Sequence, residues 1–93
     1  MTLLDIVAQL NDFDETQTIY AREPWNEGSE AVVAPEDESG TLVPPRLQAN
    51  GFSYFIEVFI AKDFLHDWRE STSSTPSDRE ACARLIQYAR YDA

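Results

Sequence analysis

Apolar residues recur at helical spacing in three parts of the chain, which predicts helices over residues 3–12, 61–70 and 76–91. In each part the spacing of three or four places the apolar side chains on one face. Thr2 and Asp5 resemble a capping box at the start of the first helix. The apolar positions are Leu3, Ile6, Val7 and Leu10, then Ala61, Phe64, Leu65 and Trp68, and finally Cys82, Leu85, Ile86 and Ala89.

The chain between the first and second helices predicts β-strands. Residues 17–22 are β-prone and stop at Glu23-Pro24, where proline removes a backbone donor. Residues 30–34 contain two valines and predict a second strand, joined to the first as a hairpin with a longer loop. Residues 36–46 begin with acids and contain two adjacent prolines, so they predict a surface loop.

Asn50-Gly51 predicts a second hairpin, since this pair tolerates the positive φ angles of a type I′ turn. The flanking arms would be residues 46–49 and 52–55. Residues 52–60 are apolar at both odd and even positions, which is typical of a strand at the centre of a sheet.

The order of these elements predicts an α+β fold in a single domain spanning residues 1–93. We expect an N-terminal helix, an antiparallel sheet of three to four strands, and two C-terminal helices packed on one face. A chain of this length leaves no room for a second domain.

The net charge of the chain limits the classes of partner that it is expected to bind. Seven Lys and Arg residues against 17 Asp and Glu residues give a formal net charge of −10. Ten of the acids and a single base lie in residues 1–45, which therefore carry −9, whereas residues 46–93 carry −1. Such a charge repels phosphate, so nucleic acid and anionic membranes are poor partners. The acidic first half instead predicts a basic protein as the partner.

Three further features predict a cytoplasmic protein. No apolar stretch approaches the roughly 20 residues of a membrane span. The N-terminus lacks the basic and apolar segments of a secretion signal. Cys82 is the one cysteine and cannot form an internal disulfide.

The sequence contains no catalytic motif. With three glycines, neither a phosphate-binding loop nor a dinucleotide fingerprint can be written. His66 is the one histidine; with Asp63 and Glu70 it could bring two or three ligands to one helical face, but tight metal sites use more nitrogen or sulfur donors. Cys82 is predicted to face the core, away from any such site. We therefore predict no catalytic residue, no metal and no cofactor.

Glu57 is the exception, because it interrupts an apolar strand and a buried, unpaired carboxylate is costly. One interpretation puts it on the open face of the sheet, or pairs it with Arg22 or Arg46. We favour this interpretation, since structural ion pairs perturb carboxylates as readily as active sites do. The alternative is a binding pocket with Glu57 at its base, lined by Phe55, Phe59 and Trp25.

Trp25 lies in the loop between the first two strands, among acidic residues. An aromatic residue ringed by acids is typical of a recognition patch for a basic partner. A loop anchored to its own core by the indole ring is the alternative, and the one we favour. The candidate partner-binding residues are Trp25, Glu23, Glu27, Glu30, Glu36, Asp37 and Glu38.

Residues 54–68, from Tyr54-Phe-Ile-Glu-Val to Phe-Leu-His-Asp-Trp68, resemble small bacterial proteins that belong to a class of domains of unknown function. Those chains similarly run from an aromatic-Glu-Val strand into an Ala-x-x-Phe-Leu-x-x-Trp helix, and the C-terminal segment 87–93 is similar to their ends. The resemblance implies no activity, cofactor or site residue. In size and acidity the chain is also similar to toxin-neutralising immunity proteins, whose acidic faces block basic nucleases.

These observations favour a non-enzymatic interaction module that binds a basic partner through its acidic first half. The first alternative is a small-molecule binding or catalytic domain with a pocket near Glu57. In the second, the acidity reflects a salt-adapted host and says nothing about a partner; one Lys against six Arg fits that interpretation.

Overall fold

The structure, a computed structural model, describes residues 1–35, 42–72 and 74–91. It has the predicted α+β fold, with a short N-terminal helix, a three-stranded antiparallel sheet and two C-terminal helices. In chain order the elements are α1 (Leu3–Ala8), a 3-10 turn (Leu10–Asp12), β1 (Thr18–Arg22), β2 (Ala31–Ala34), α2 (Pro45–Ala49), β3 (Phe52–Glu57), α3 (Val58–Ser71) and α4 (Asp78–Tyr91).

The first helix begins with the predicted capping box. The Asp5 N–H donates to the Thr2 hydroxyl at 3.1 Å, and the Thr2 N–H donates to the Asp5 carboxylate at 3.0 Å. These bonds to Thr2 lower the pKa of the Asp5 carboxyl. The α-helix is shorter than predicted, since it ends at Ala8 and a 3-10 turn follows. Leu10 in that turn is still buried, so the apolar spacing identified core positions beyond the end of the helix.

The strand order is β2-β1-β3, so β1 is the central strand. Thr18 of β1 lies opposite Ala34 of β2 and Glu57 of β3, and both pairings are antiparallel. The predicted hairpin between the first two strands is confirmed. The prediction that residues 52–60 form a central strand is wrong, because β3 lies at the edge and ends at Glu57.

β3 is apolar on both faces because the sheet is covered on both faces. On one face α1, α3 and α4 enclose the main core, which includes Phe55 and Ile56. A register shift between β1 and β3 lets these two consecutive residues both reach that core. On the other face Phe52 packs with Tyr20 and Leu47 in a smaller core.

The second predicted hairpin is wrong, because the chain before Asn50 is helical. Residues Pro45–Ala49 form α2, with proline at its first position, where its fixed φ angle favours a helix start. Asn50 has a φ of −97°, whereas a type I′ turn needs a positive φ at both central residues. Gly51 has a φ of +84°, and its N–H donates to the Gln48 carbonyl at 3.1 Å. Asn50-Gly51 therefore ends a helix instead of joining two strands.

The two C-terminal helices line the main core as their spacing predicts. α3 begins at Val58, three residues earlier than predicted, because Val58, Ala61 and Leu65 form one buried stripe at helical spacing. In α4 the side chains of Cys82 and Leu85 are buried in the same core. The early start of α3 leaves Phe59 on the outer side of the helix.

Gly51→Ala tests the helix end at this position. We expect the free energy of unfolding to fall by about 1 kcal/mol, because alanine is strained at a positive φ. A Cβ atom at Gly51 meets nothing within 4 Å, so the loss is conformational and not steric. Gly51→Asn is the matched control with a smaller expected loss, since asparagine tolerates this conformation. Urea denaturation measures both variants, and equal stability of Gly51→Ala and the parent chain would contradict the assignment.

Candidate functional site

Trp25 is anchored to the core of its own chain. Its side chain is half-buried and packs against the main core. The indole ring meets Phe55 edge-on, with ring centroids 4.9 Å apart and an interplanar angle of 89°. Its Nε1 atom is buried and has no hydrogen-bond acceptor among the described residues. The ring therefore acts through packing, as in the interpretation that we favoured from the sequence.

The loop that carries Trp25 is tied together by its own polar groups. The Ser29 hydroxyl donates to the Pro24 carbonyl at 2.8 Å and accepts from the Asn26 N–H at 2.8 Å. The Gly28 N–H donates to the Asn26 side-chain oxygen at 2.9 Å. These contacts hold the loop in one shape against the sheet.

Two of the candidate acids in this loop are already paired with arginines of the chain. Glu27 lies 2.9 Å from Arg79 of α4, and Glu30 lies 3.2 Å from Arg22 of β1. Both pairs are partly exposed and contribute little to stability. They nevertheless neutralise two charges that the sequence assigned to a partner.

Of the remaining candidate acids, Glu23 lies within the described residues and beside Trp25. Glu23 is exposed and lines a depression of about 380 Å³ with Pro24, Trp25, Ala89 and Arg90. The sequence also predicted Glu36, Asp37 and Glu38 as partner-binding residues, and these lie outside the described residues.

Glu57 is half-buried at the junction between β3 and α3. It occupies the N-cap position of α3, but its side chain makes no capping hydrogen bond. It also forms no ion pair among the described residues. Arg22, one of its predicted partners, pairs with Glu30 and lies over the Phe52 ring. The structural interpretation of Glu57 as half of an ion pair with Arg22 is therefore wrong.

An acidic depression lies beside Glu57, with a volume of about 480 Å³. One wall comes from the loop before β1 and the other from the start of α3. Phe59 is 45% exposed at its edge. Phe55, which the sequence placed in the same pocket, lies instead in the main core. We call this the Phe59 depression, lined by Glu15, Thr16, Gln17, Glu57, Phe59 and Asp63.

Two hydrogen bonds join the two walls of the Phe59 depression. The Val58 N–H donates to the Gln17 carbonyl at 3.0 Å, and the Lys62 ammonium donates to the Phe13 carbonyl at 2.7 Å. The Asp14 carboxylate accepts from the N–H and the hydroxyl of Thr16, each at 2.8 Å. These bonds to Thr16, with a smaller effect from Lys62, lower the pKa of the Asp14 carboxyl. The loop before β1 is thus tied to the start of α3 by hydrogen bonds of the chain itself.

The metal set weighed from the sequence is not assembled. His66 lines a different groove of about 570 Å³, and its Nε2 atom is 4.0 Å from the Glu70 carboxylate. Asp63 lines the Phe59 depression instead. Within residues 1–35, 42–72 and 74–91, no three His, Cys, Asp or Glu side chains are arranged to hold a metal ion.

Sequence reasoning missed Glu15 and Asp63 as neighbours of Glu57. The antiparallel pairing of β1 with β3 brings the loop before β1 beside the start of α3, and no local motif encodes that pairing. One signal was present, since Phe59 and Asp63 are four residues apart and lie on one helical face. The predicted strand over residues 52–60 concealed it.

Comparison with known proteins gives no relative for this chain. No protein-family model, curated protein or solved structure matches it. The resemblance to a bacterial class of unknown function therefore stays a prediction. In the part of the chain that the structure describes, no helix is both long and apolar enough to cross a membrane.

Trp25→Ala tests whether the indole anchors its loop. We expect the free energy of unfolding to fall by about 2 kcal/mol or more, because the truncation leaves a cavity against Phe55. Trp25→Phe keeps an aromatic ring and removes an N–H that has no acceptor, so its loss should be smaller. Urea denaturation followed by circular dichroism gives both values. A Trp25→Ala chain as stable as the parent would mean that the ring carries no packing role.

The Cys82 thiol should be unreactive in the folded chain. Burial, with a smaller effect from Glu27, raises the pKa of this thiol to about 11. At pH 8 the thiolate fraction of Cys82 is then roughly a hundredfold below that of an ordinary cysteine. A thiol reagent also has no access to the buried sulfur atom. Dithionitrobenzoate should label the chain in 8 M urea but not in buffer. Rapid labelling of the folded chain at pH 8 would contradict the burial of this residue.

Proposed function

We propose that the protein is a non-enzymatic interaction module that binds a basic protein surface through the Phe59 depression. One observation carries the proposal: three carboxylates of the depression, those of Glu15, Glu57 and Asp63, form no ion pair among the described residues and flank an exposed aromatic ring. Protein interfaces commonly combine an aromatic anchor with a charged rim.

The distribution of charge supports this surface over the Trp25 loop. In the loop, Glu27 and Glu30 are compensated by arginines of the same chain. In the Phe59 depression the nearby Lys62 donates to a backbone carbonyl. The net charge of −10 adds a long-range field that attracts a basic partner and accelerates encounter.

A small organic cation is the second candidate ligand. The depression beside Glu57 has room for one, at about 480 Å³, and its carboxylates supply the opposite charge. Phe55 no longer belongs to that site, since it is buried in the core. Binding of a basic peptide and binding of a free cation such as spermidine can be compared in one titration.

A labelled decapeptide of alternating arginine, lysine and glycine tests the proposal by fluorescence anisotropy. We expect binding in 25 mM NaCl that weakens strongly in 500 mM NaCl, because salt screens the charges. The triple variant Glu15→Gln, Glu57→Gln, Asp63→Asn should bind at least about tenfold more weakly.

The matched control removes three exposed acids that do not line the depression, in the triple variant Glu23→Gln, Asp67→Asn, Glu70→Gln. It has the same net charge as the test variant and should keep most of the affinity. If both triple variants lose affinity equally, the peptide senses only bulk charge and the depression is not the site. If spermidine binds the depression and the peptide does not, the second candidate replaces the first.

A further inference from the structure

We infer that the partner places an arginine in the Phe59 depression, with its guanidinium over the Phe59 ring and ion-paired to the surrounding carboxylates. This inference rests on the proposed function and names the group that the site recognises. It is argued from arginines that the chain places on its own phenylalanine rings.

The chain binds its own guanidinium groups in this way at two places. The Arg22 guanidinium lies 4.9 Å from the centre of the Phe52 ring, and its Nε atom is 3.2 Å from the Glu30 carboxylate. In the second case the Arg84 guanidinium lies 5.5 Å from the centre of the Phe64 ring.

Arg84 completes the same arrangement with an uncharged acceptor. Its Nη1 atom donates to the Gln87 side-chain oxygen at 2.9 Å. In both places a phenylalanine face and a side-chain oxygen therefore hold one guanidinium, which is the geometry of a cation–π contact supported by a hydrogen bond.

Among the residues that the structure describes, the Phe59 depression has the ring and the oxygens of this arrangement but is lined by no arginine. Phe59 makes no cation–π contact among the described residues, and neither Glu57 nor Asp63 forms an ion pair. Phe52, by contrast, is 8% exposed beneath Arg22, whereas Phe59 is 45% exposed. The ring is thus the exposed counterpart of two rings that the chain covers with arginine.

The arrangement of the side chains in the Phe59 depression favours a guanidinium over a metal ion as the bound group. They line a depression of about 480 Å³ but are not arranged around one point, as a metal would require. A guanidinium is planar, is more weakly hydrated than an ammonium group and presents five donors in several directions. It can therefore stack on the ring and reach separated carboxylates at once.

The experiment compares three blocked peptides that differ at one central residue: arginine, lysine or citrulline, each between glycines. Binding is followed on the full chain from the backbone amide shifts of residues 15–17 and 57–63. We expect the arginine peptide to bind about threefold more tightly than the lysine peptide, because it adds the stacking contact. Citrulline keeps the shape but not the charge, so its binding should be at least about tenfold weaker than that of arginine.

Phe59→Leu keeps an apolar side chain but removes the aromatic face. In this variant we expect the preference for arginine over lysine to disappear while the lysine peptide binds as before. Tyr91→Leu is the matched control, since it removes an exposed aromatic ring at the end of α4 and should leave the preference unchanged.

The outcomes separate this inference from the proposed function. If the arginine and lysine peptides bind the depression with equal affinity and Phe59→Leu changes neither, the arginine inference is wrong. The proposed binding of a basic protein surface is unaffected by that result. Shifts that map to the groove beside His66 instead of residues 15–17 and 57–63 overturn both. The absence of any saturable shift, with the decapeptide also failing to bind, likewise overturns both.

Discussion

The central strand β1 is the element on which the rest of the molecule depends. It pairs with β2 on one edge and with β3 on the other, and its residues Thr18–Ala21 are all buried. Ile19 and Ala21 contribute to the main core, whereas Tyr20 belongs to the smaller core on the opposite face. A strand buried on both faces needs a layer on each side. The helices α1, α3 and α4 supply the layer on one face, and the short helix α2 contributes to the layer on the other.

The pairing of β1 with β3 also brings together the residues of the Phe59 depression. Because Thr18 lies opposite Glu57, the loop that precedes β1 must lie beside the residues that follow β3. The Val58 N–H then donates to the Gln17 carbonyl, and α3 starts at the edge of the sheet without an intervening loop. Val58 and Ala61 turn into the core, so Phe59 remains outside, next to carboxylates from a distant part of the sequence. An exposed aromatic side chain among acids is thus a consequence of how the sheet ends.

Much of the fold could be predicted from local patterns, because helical spacing records which side chains are buried. The spacing of Cys82 and Leu85 identified their positions in the core, and Thr2 with Asp5 identified the first cap. The errors arose where one local signal suits two structures. Asn50-Gly51 is compatible with a tight turn or with the end of a helix. Pro45 favours the helix that ends there, because proline suits the first position of a helix. Residues 52–60 are apolar except at Ser53 and Glu57, which fits a long strand as well as a strand followed by a buried helical turn.

The site was less predictable than the fold, because it depends on which charges find a partner within the chain. Glu27 forms an ion pair with Arg79 of α4, and no local sequence pattern around either residue predicts that pair. The net charge counts Glu27 and Asp63 equally, although Asp63 forms no ion pair in the part of the chain that the structure describes. The folded chain covers Phe52 and Phe64 with arginines and leaves Phe59 uncovered. The Phe59 ring is thus an exposed apolar surface beside carboxylates that form no ion pair among the described residues. The informative quantity is therefore the charge that remains unpaired beside exposed apolar surface, and not the total of −10.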